Sequence, residues 1–125
     1  TRRAADYLLS RQTEKGVHGN AFDTWETFIG SFTYSNAAIY AAFQTAARYL
    51  GDEKYHEGAR RVKEGVLQHF VRGDEYSYLA RGFHSDGSAD GTVDSASLGA
   101  IEPFELLDLN DARDLEIAEG TLRAV

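Results

Sequence analysis

Residues 35–50 constrain the fold more than any other part of the chain. They read SNAAIYAAFQTAARYL, and no charged side chain appears among them before Arg48. Alanine is the strongest helix former, and apolar side chains fall on nearly every side of a helix drawn through this segment. We therefore predict a helix at 35–50 that is the most buried element of the chain. The residues expected to pack among neighbouring helices are Ala38, Ala41, Ala42 and Phe43.

The next segment has a polar side. Gly51 is placed to end the first helix, and Asp52 can cap a second helix at 53–70. One face of this second helix carries an apolar stripe, formed by Tyr55, Ala59, Val62, Val66 and Phe70. A buried helix followed by an amphipathic one indicates two layers, as in a solenoid or toroid of stacked helical hairpins.

Helical spacing recurs elsewhere in the chain. It predicts further helices at 2–12, 95–107 and 111–123, with Pro103 expected to kink or stop the second of these. Residues 75–84 alternate well enough for one short extended segment. The sequence therefore predicts an all-α chain with hardly any sheet.

Composition limits the number of domains and the class of partner. The chain has 125 residues, of which 42% are hydrophobic, so residues 1–125 are predicted to form a single domain. Its formal net charge of −7 opposes binding to nucleic acid, and no segment is apolar enough to span a membrane. Because the sequence begins and ends inside predicted helices, we expect a fragment of a larger domain. Such a fragment should self-associate through its uncovered apolar faces.

The histidines show no metal-binding pattern. His56 lacks a second histidine at the spacing of a zinc helix, and the other three are scattered, so all four are interpreted as surface residues: His18, His56, His69 and His84. The chain also contains no cysteine, which excludes thiolate ligands.

An Asp-rich loop resembles a calcium site only in part. Four residues fall at the first, third, fifth and sixth positions of a calcium loop: Asp86, Ser88, Asp90 and Gly91. The closing bidentate glutamate is replaced by Ser97, so an ordinary Asp/Gly turn is favoured. We predict no metal site and no cofactor.

One short stretch, FDTWETFIG at 22–30, carries residues suited to sugar chemistry. The simplest interpretation is that Trp25 fills a gap in the core while Asp23 and Glu26 face water. Two considerations favour a site instead. The stretch precedes the most apolar helix, where low dielectric can raise a carboxyl pKa. Glycoside hydrolysis also requires an acid, an aromatic wall and a second carboxylate.

At these residues the sequence resembles the glucoamylase-type glycoside hydrolases, glycoside hydrolase family 15, which include glucodextranases and some trehalases. The family typically carries Asp-Leu-Trp-Glu-Glu before a glycine, an aromatic residue, an alanine-rich helix and a Gly-Asp turn. Here the same order stands as FDTWETFIGSFTYSNAAIYAAFQTAARYLGD, with Thr24 and Thr27 as departures. A second landmark, DGTVDSASLGAIEPFELLDLNDARDLEIAEGTLRAV, is similar to the family's Asp-Gly-Thr-Val-Asp segment.

The resemblance implies a portion of a six-hairpin α/α toroid, or α/α barrel. It also implies that Glu26 is the general acid and that Asp23 and Trp25 line a glucose subsite. The implied substrate is an α-glucan or an α-glucoside such as a dextrin or trehalose, hydrolysed from its end with inversion. In the family the general base, a second glutamate, lies beyond the position that matches Val125, so this fragment would carry the acid alone.

Two function hypotheses remain open from the sequence. The parent protein is either an inverting exo-acting α-glucoside hydrolase or a non-catalytic regulatory or scaffold relative. The adjacent Trp25 and Glu26 favour the enzyme, whereas Thr27, in place of the family's second glutamate, favours the relative without activity. The sequence that follows this segment in the parent would discriminate between them.

Overall fold

The computed structural model of the chain describes residues 2–22 and 24–125. Its helices are α1 (Arg2–Ser10), α2 (Thr33–Leu50), α3 (Glu53–His69), a 3₁₀ helix (Ser95–Ala100) and α4 (Ala112–Ala124). Its strands are β1 (Ala21–Phe22), β2 (Ile29–Phe32), β3 (Val71–Arg72), β4 (Tyr78–Leu79), β5 (Gly82–His84) and β6 (Ala89–Asp90). The four α-helices lie within two residues of the predicted boundaries.

Helices α2 and α3 pack against each other and form the centre of the core. Gly51 ends α2 in the left-handed conformation, at a φ of 63°, and its N–H donates to Ala47 O. The Asp52 carboxylate then accepts the backbone N–H of Lys54 and begins α3, as the sequence predicts. The interface buries several side chains almost completely: Phe43, Tyr55, Ala59, Val62 and Val66.

A four-stranded antiparallel sheet lies beside the helices in the order β1-β2-β5-β6. Strand β2 is central, with Gly30 opposite His84 and Phe32 opposite Gly82 in β5. Gly30 permits this close pairing, because a Cβ at that position would lie 1.9 Å from Phe83 O. Strands β3 and β4 form a separate two-stranded sheet. The residues that connect β1 to β2 include Trp25 and Glu26, so the sheet positions the candidate site.

The prediction of an all-α chain belonging to a six-hairpin α/α toroid is wrong. About half of the chain is helical, and the two antiparallel sheets make the described structure a mixed α/β fold. The strands escaped prediction because each has only two to four residues, too few for a clear alternation of apolar and polar side chains. The extended segment expected at 75–84 is present, but as parts of two strands, β4 and β5.

The predicted helix at 95–107 is also shorter than expected. It is a 3₁₀ helix that ends at Ala100, capped at its start by the carboxylate of Asp94, which accepts the Ala96 N–H. Pro103 cannot donate a backbone hydrogen bond, and the chain continues as turns. Glu105 then adopts a φ of 51° before the buried Leu106.

Helix α2 is not buried on all sides. Phe43 is fully buried, but Ala38 and Ala41 are half-buried and Ala42 is exposed. The core face consists of other residues, among them Ala37, Ala46 and Ala47. Small apolar side chains therefore occupy the open face as well as the packed one, which is why composition could not distinguish the two. No helix in the described part of the chain has the length and apolarity needed to cross a membrane.

Candidate functional site

The loop between β1 and β2 presents two of the three predicted site residues to solvent. Trp25 is 58% exposed and Glu26 is also exposed. Asp23, the third predicted residue, lies outside the described residues. The interpretation of Trp25 as a core residue is therefore wrong, and its indole is available to a ligand. The expected burial of the acid is not provided by the described residues around Glu26.

The Trp25 indole is held in place by Asp94. Its Nε1–H lies 2.9 Å from Asp94 Oδ2 and 3.1 Å from Oδ1, so it donates to the carboxylate. Asp94 also caps the 3₁₀ helix, and its side chain is 11% exposed. A half-exposed aromatic ring is thus anchored by its polar edge while much of its surface remains open, as suits a ring that stacks on a sugar.

Arg81 contacts both the Asp94 carboxylate and Thr27, the residue that follows Glu26. Its Nε lies 3.3 Å from Asp94 Oδ2, and its NH2 group donates to the hydroxyl of Thr27. Its guanidinium also lies 4.7 Å from the centre of the Phe28 ring, within the range of a cation–π interaction. The residues directly before and after Glu26 are therefore tied to one ion pair.

Glu26 has a backbone conformation that side-chain-bearing residues seldom adopt. Its φ is 55°, in the left-handed region, where a residue with a Cβ costs about 1–2 kcal/mol relative to the right-handed helix. Such conformations persist only where the surroundings enforce them, and they concentrate at functional sites. Here the hydrogen bonds from Trp25 to Asp94 and from Arg81 to Thr27 hold the backbone on both sides of Glu26.

A second carboxylate lies near Arg81 but is unsuited to act as an acid. Asp90 Oδ2 is 3.9 Å from Arg81 NH1, and Asp90 Oδ1 accepts the Thr92 N–H at 3.0 Å. Burial acts to raise the pKa of Asp90, but the hydrogen bonds from Thr92 and the charge of Arg81 outweigh it and keep the pKa below its usual value. Asp90 is therefore ionised near neutral pH.

The calcium-like loop is a turn between β5 and β6, as its Asp/Gly composition predicts. Asp86 Oδ1 accepts hydrogen bonds from the backbone N–H and the hydroxyl of Ser88. The Asp90 carboxylate lies near Arg81 and accepts the Thr92 N–H. The Asp86 carboxylate therefore stabilises the turn, and the Asp90 carboxylate interacts with Arg81. Across residues 2–22 and 24–125, no group of three or more His, Asp or Glu side chains is arranged to hold a metal ion.

The prediction that all histidines lie at the surface is wrong for His18. This side chain is 7% exposed; its Nδ1–H donates to Gly19 O, and its Nε2 accepts the Phe32 N–H at 3.2 Å. Its backbone N–H donates to Asn36 Oδ1, and its carbonyl accepts the hydroxyl of Ser31. Burial lowers the pKa of His18, opposed in part by the hydrogen bond to Gly19. His18 thereby attaches the segment before β1 to the junction of β2 and α2.

The larger clefts lie away from Trp25 and Glu26. One cleft of about 380 Å³ separates the 13–20 segment from the β5–β6 hairpin and is lined by Lys15, His69 and Phe83. Beside the loop itself, the pocket formed with Thr24 and Asp94 has only about 10 Å³, enough for roughly one water molecule. The described residues around Trp25 thus form an open platform and no enclosed subsite.

Asp94 and Arg81 were not identified as site residues from the sequence. In the sequence, Asp94 falls within the DGTVD landmark without an assigned role in the site, and Arg81 falls within the extended segment at 75–84. Trp25 and Asp94 are separated by 69 positions, so no local pattern connects them. The DGTVD motif, in which Asp94 is the last residue, is the one signal that could have directed attention to it.

The chain is similar to a protein of Methanocaldococcus jannaschii that bears the name uncharacterized glycosyl hydrolase. The two are 29% identical over an alignment of 110 positions, which covers 82% of this chain but 17% of the other protein. No family model and no solved structure matches the chain. The similarity therefore covers most of this chain and a small part of its much longer relative.

Proposed function

We propose that this chain supplies the acid side of a glycoside hydrolase site, with Glu26 as general acid and with Asp23 and Trp25 contacting the sugar. The observation that carries the proposal is the exposed Glu26 at a φ of 55°, next to an exposed indole anchored by Asp94. The glycosyl hydrolase name of the M. jannaschii relative supports the same reaction class.

The proposed substrate is an α-glucoside, cleaved from the end of an α-glucan, a dextrin or trehalose. This finer assignment rests on the resemblance of the Trp25–Glu26 stretch and of the DGTVD segment to the glucoamylase-type hydrolases. The open platform at Trp25 is compatible with a terminal sugar that stacks on one face of the indole. Residues outside this chain would then complete the subsite.

In the proposed reaction Glu26 gives its proton to the glycosidic oxygen while the bond from that oxygen to the anomeric carbon breaks. A water molecule attacks the same carbon from the opposite face, and a second carboxylate takes the proton of that water. Inversion requires roughly 6.5–9.5 Å between the two carboxyl groups, to leave room for the water. We propose that the second carboxylate belongs to a longer protein of which this chain is one part.

A non-catalytic regulatory or scaffold role is the second candidate. The observation that favours it is Thr27, which stands where the resembled family has a second glutamate and which accepts a hydrogen bond from Arg81. A threonine engaged in this way stabilises the loop and contributes no negative charge to sugar binding. The two candidates differ in whether the longer protein hydrolyses an α-glucoside at all.

The test is Glu26→Gln in the longest protein that contains this chain, assayed on maltose. Positioned general acids commonly contribute about 10²–10⁴ in rate, so we expect turnover to fall by that factor while KM changes little. The loss should shrink on α-glucosyl fluoride, whose leaving group scarcely needs a proton. Trp25→Ala should instead raise KM, because stacking stabilises the bound substrate as well as the transition state.

Glu105→Gln is the matched control, since Glu105 is another exposed glutamate with a left-handed φ of 51°. It should leave both kinetic constants unchanged. If Glu26→Gln turns over maltose as fast as the unmodified enzyme does, Glu26 is not the acid. The scaffold role is favoured if the unmodified protein itself does not turn over maltose.

A further inference from the structure

The ion pair between Arg81 and Asp94 lies between two parts of the chain that are distant in sequence. Arg81 precedes β5, and Asp94 begins the 3₁₀ helix that follows β6. Both side chains are largely shielded from solvent, with 15% and 11% of their surface exposed. Screening by water and salt is therefore weaker for this pair than for an ion pair on the open surface.

Each member of the pair holds one neighbour of Glu26. Asp94 accepts the indole N–H of Trp25 through both oxygens, at 2.9 and 3.1 Å, and Arg81 donates to the Thr27 hydroxyl. Glu26 itself stands between these two attachments with a φ of 55°. A loop fixed on both sides of one residue leaves the backbone of that residue little freedom.

We infer that Arg81 and Asp94 are positioning residues that set the orientation of the Trp25 indole and the backbone of Glu26 for a bound sugar. This inference rests on the proposed function, because it takes the ligand to be an α-glucoside. Neither residue is assigned contact with the sugar; they act through Trp25 and Thr27. The pair would keep the indole in its binding orientation before the sugar arrives, which lowers the entropic cost of binding.

The chain contains one tryptophan, so spectroscopic signals of the indole report Trp25 alone. The first experiment records the indole N–H resonance of the ¹⁵N-labelled chain and of Asp94→Asn. An asparagine can still cap the 3₁₀ helix through its oxygen, but its NH₂ group faces the indole N–H and the Arg81 Nε, which are also donors. The indole resonance should therefore move upfield, and the amide resonances of Glu26 and Thr27 should move with it.

Asp90→Asn is the matched control. Asp90 is a second carboxylate near the same guanidinium, with its Oδ2 3.9 Å from Arg81 NH1. Its Oδ1 accepts the Thr92 N–H, so it caps a turn as Asp94 caps the 3₁₀ helix. The substitution removes the same charge from the neighbourhood of Arg81. It should leave the Trp25 indole resonance at its original position.

The second experiment introduces the same substitutions into the longest protein that contains this chain, because residues outside the chain would complete the subsite, and measures maltose binding by calorimetry. With Asp94→Asn the Kd for maltose should rise about 2- to 10-fold, since a free side chain must then be immobilised on binding. Asp90→Asn should bind maltose as the unmodified protein does. The same comparison with Arg81→Lys should shift the Thr27 and Glu26 amides, because a lysine lacks the fork that reaches both Asp94 and Thr27.

An unchanged indole resonance in Asp94→Asn would overturn the inference, and so would a shifted resonance with unchanged maltose affinity. If the longest protein that contains this chain does not bind maltose, the proposed function fails. The indole and amide resonances would still decide whether Asp94 and Arg81 hold Trp25 and Glu26. A purely stabilising role of Asp94 would lower the melting temperature and leave the indole resonance of the folded protein in place.

Discussion

Two glutamates of this chain adopt the left-handed conformation, and the surroundings of the two differ. Glu105 has a φ of 51° and is followed by Leu106 and Leu107, which are 0% and 3% exposed. Glu26 has a φ of 55° and lies between exposed neighbours, Trp25 and Thr27. The turn at Glu105 directs two leucines into the core, whereas the turn at Glu26 buries neither neighbour.

The difference shows how each unfavourable backbone conformation is maintained. Burying a leucine side chain stabilises a fold by about 1.5–3 kcal/mol, so two buried leucines together exceed the cost of about 1–2 kcal/mol for one left-handed residue. Hydrophobic packing therefore accounts for the conformation at Glu105. At Glu26 the polar contacts to Asp94 and Arg81 hold the loop, and the conformation presents an acid and an indole to solvent. Strain that packing does not explain is a reason to suspect a functional site.

The largest effect on stability should come from the segment after Glu105. Leu106→Ala should lower the free energy of unfolding by about 2–5 kcal/mol, because it leaves a cavity at a fully buried position. Trp25→Ala should lower it by less than about 1 kcal/mol, the value of one partly exposed hydrogen bond. Urea unfolding of both variants makes the comparison. A larger loss for Trp25→Ala would mean that the loop is part of the core.

A smaller effect should follow from relieving the backbone strain itself. Glycine removes the left-handed penalty but makes the unfolded chain more flexible, so Glu26→Gly and Glu105→Gly should each stabilise the chain by up to about 1 kcal/mol. Alanine at either position keeps the strain and should give no such gain. The two glycine variants should differ in function, because only Glu26→Gly removes the proposed acid. Stabilisation at one position alone would show that the backbone strain differs between the two glutamates despite their similar φ angles.

The sequence predicted those features that depend on neighbouring residues. The helices follow from apolar spacing, and two of their boundaries follow from local hydrogen bonds at Gly51 and Asp52. The sheet depends on pairing between residues far apart, such as Gly30 with His84, and its strands are too short for a periodic signal. Alanine in α2 fits both a buried and an open helix face, so burial of Ala42 was wrongly expected.

In the candidate site, too, the residues that are adjacent in sequence were predicted and those from distant segments were not. Trp25 and Glu26 are adjacent in sequence, so the stretch could be recognised from composition and resemblance. The residues that hold them, Arg81 and Asp94, come from distant segments and were not recognised. His18 was missed for the same reason, since its partners Asn36 and Phe32 follow it by more than ten positions.

The smallest effect we expect is a pH-dependent loosening of the strand beneath the loop. His18 Nε2 accepts the Phe32 N–H, and protonation of Nε2 removes that acceptor. Burial holds the pKa of His18 below its ordinary value near 6.5 in the folded chain. The unfolded chain therefore binds the proton first as the pH falls. The contribution of His18 to stability is complete above about pH 6.5 and declines as the pH falls from there through the folded pKa.

Hydrogen exchange measured at pH 7.5 and 5.5, after correction for the intrinsic pH dependence of exchange, would detect this change. Protection of the Phe32 amide should fall at the lower pH, while protection of the Leu107 amide, which donates to Ala100 O in the other segment, should fall less. His18→Gln should remove the difference between the two pH values at Phe32, and replacement of the exposed His56 by glutamine should preserve it. Equal loss of protection at Phe32 and Leu107 would show that acid loosens the whole chain. In that case β2, which follows the Glu26 loop, would be no more sensitive to pH than the core segment that follows Glu105.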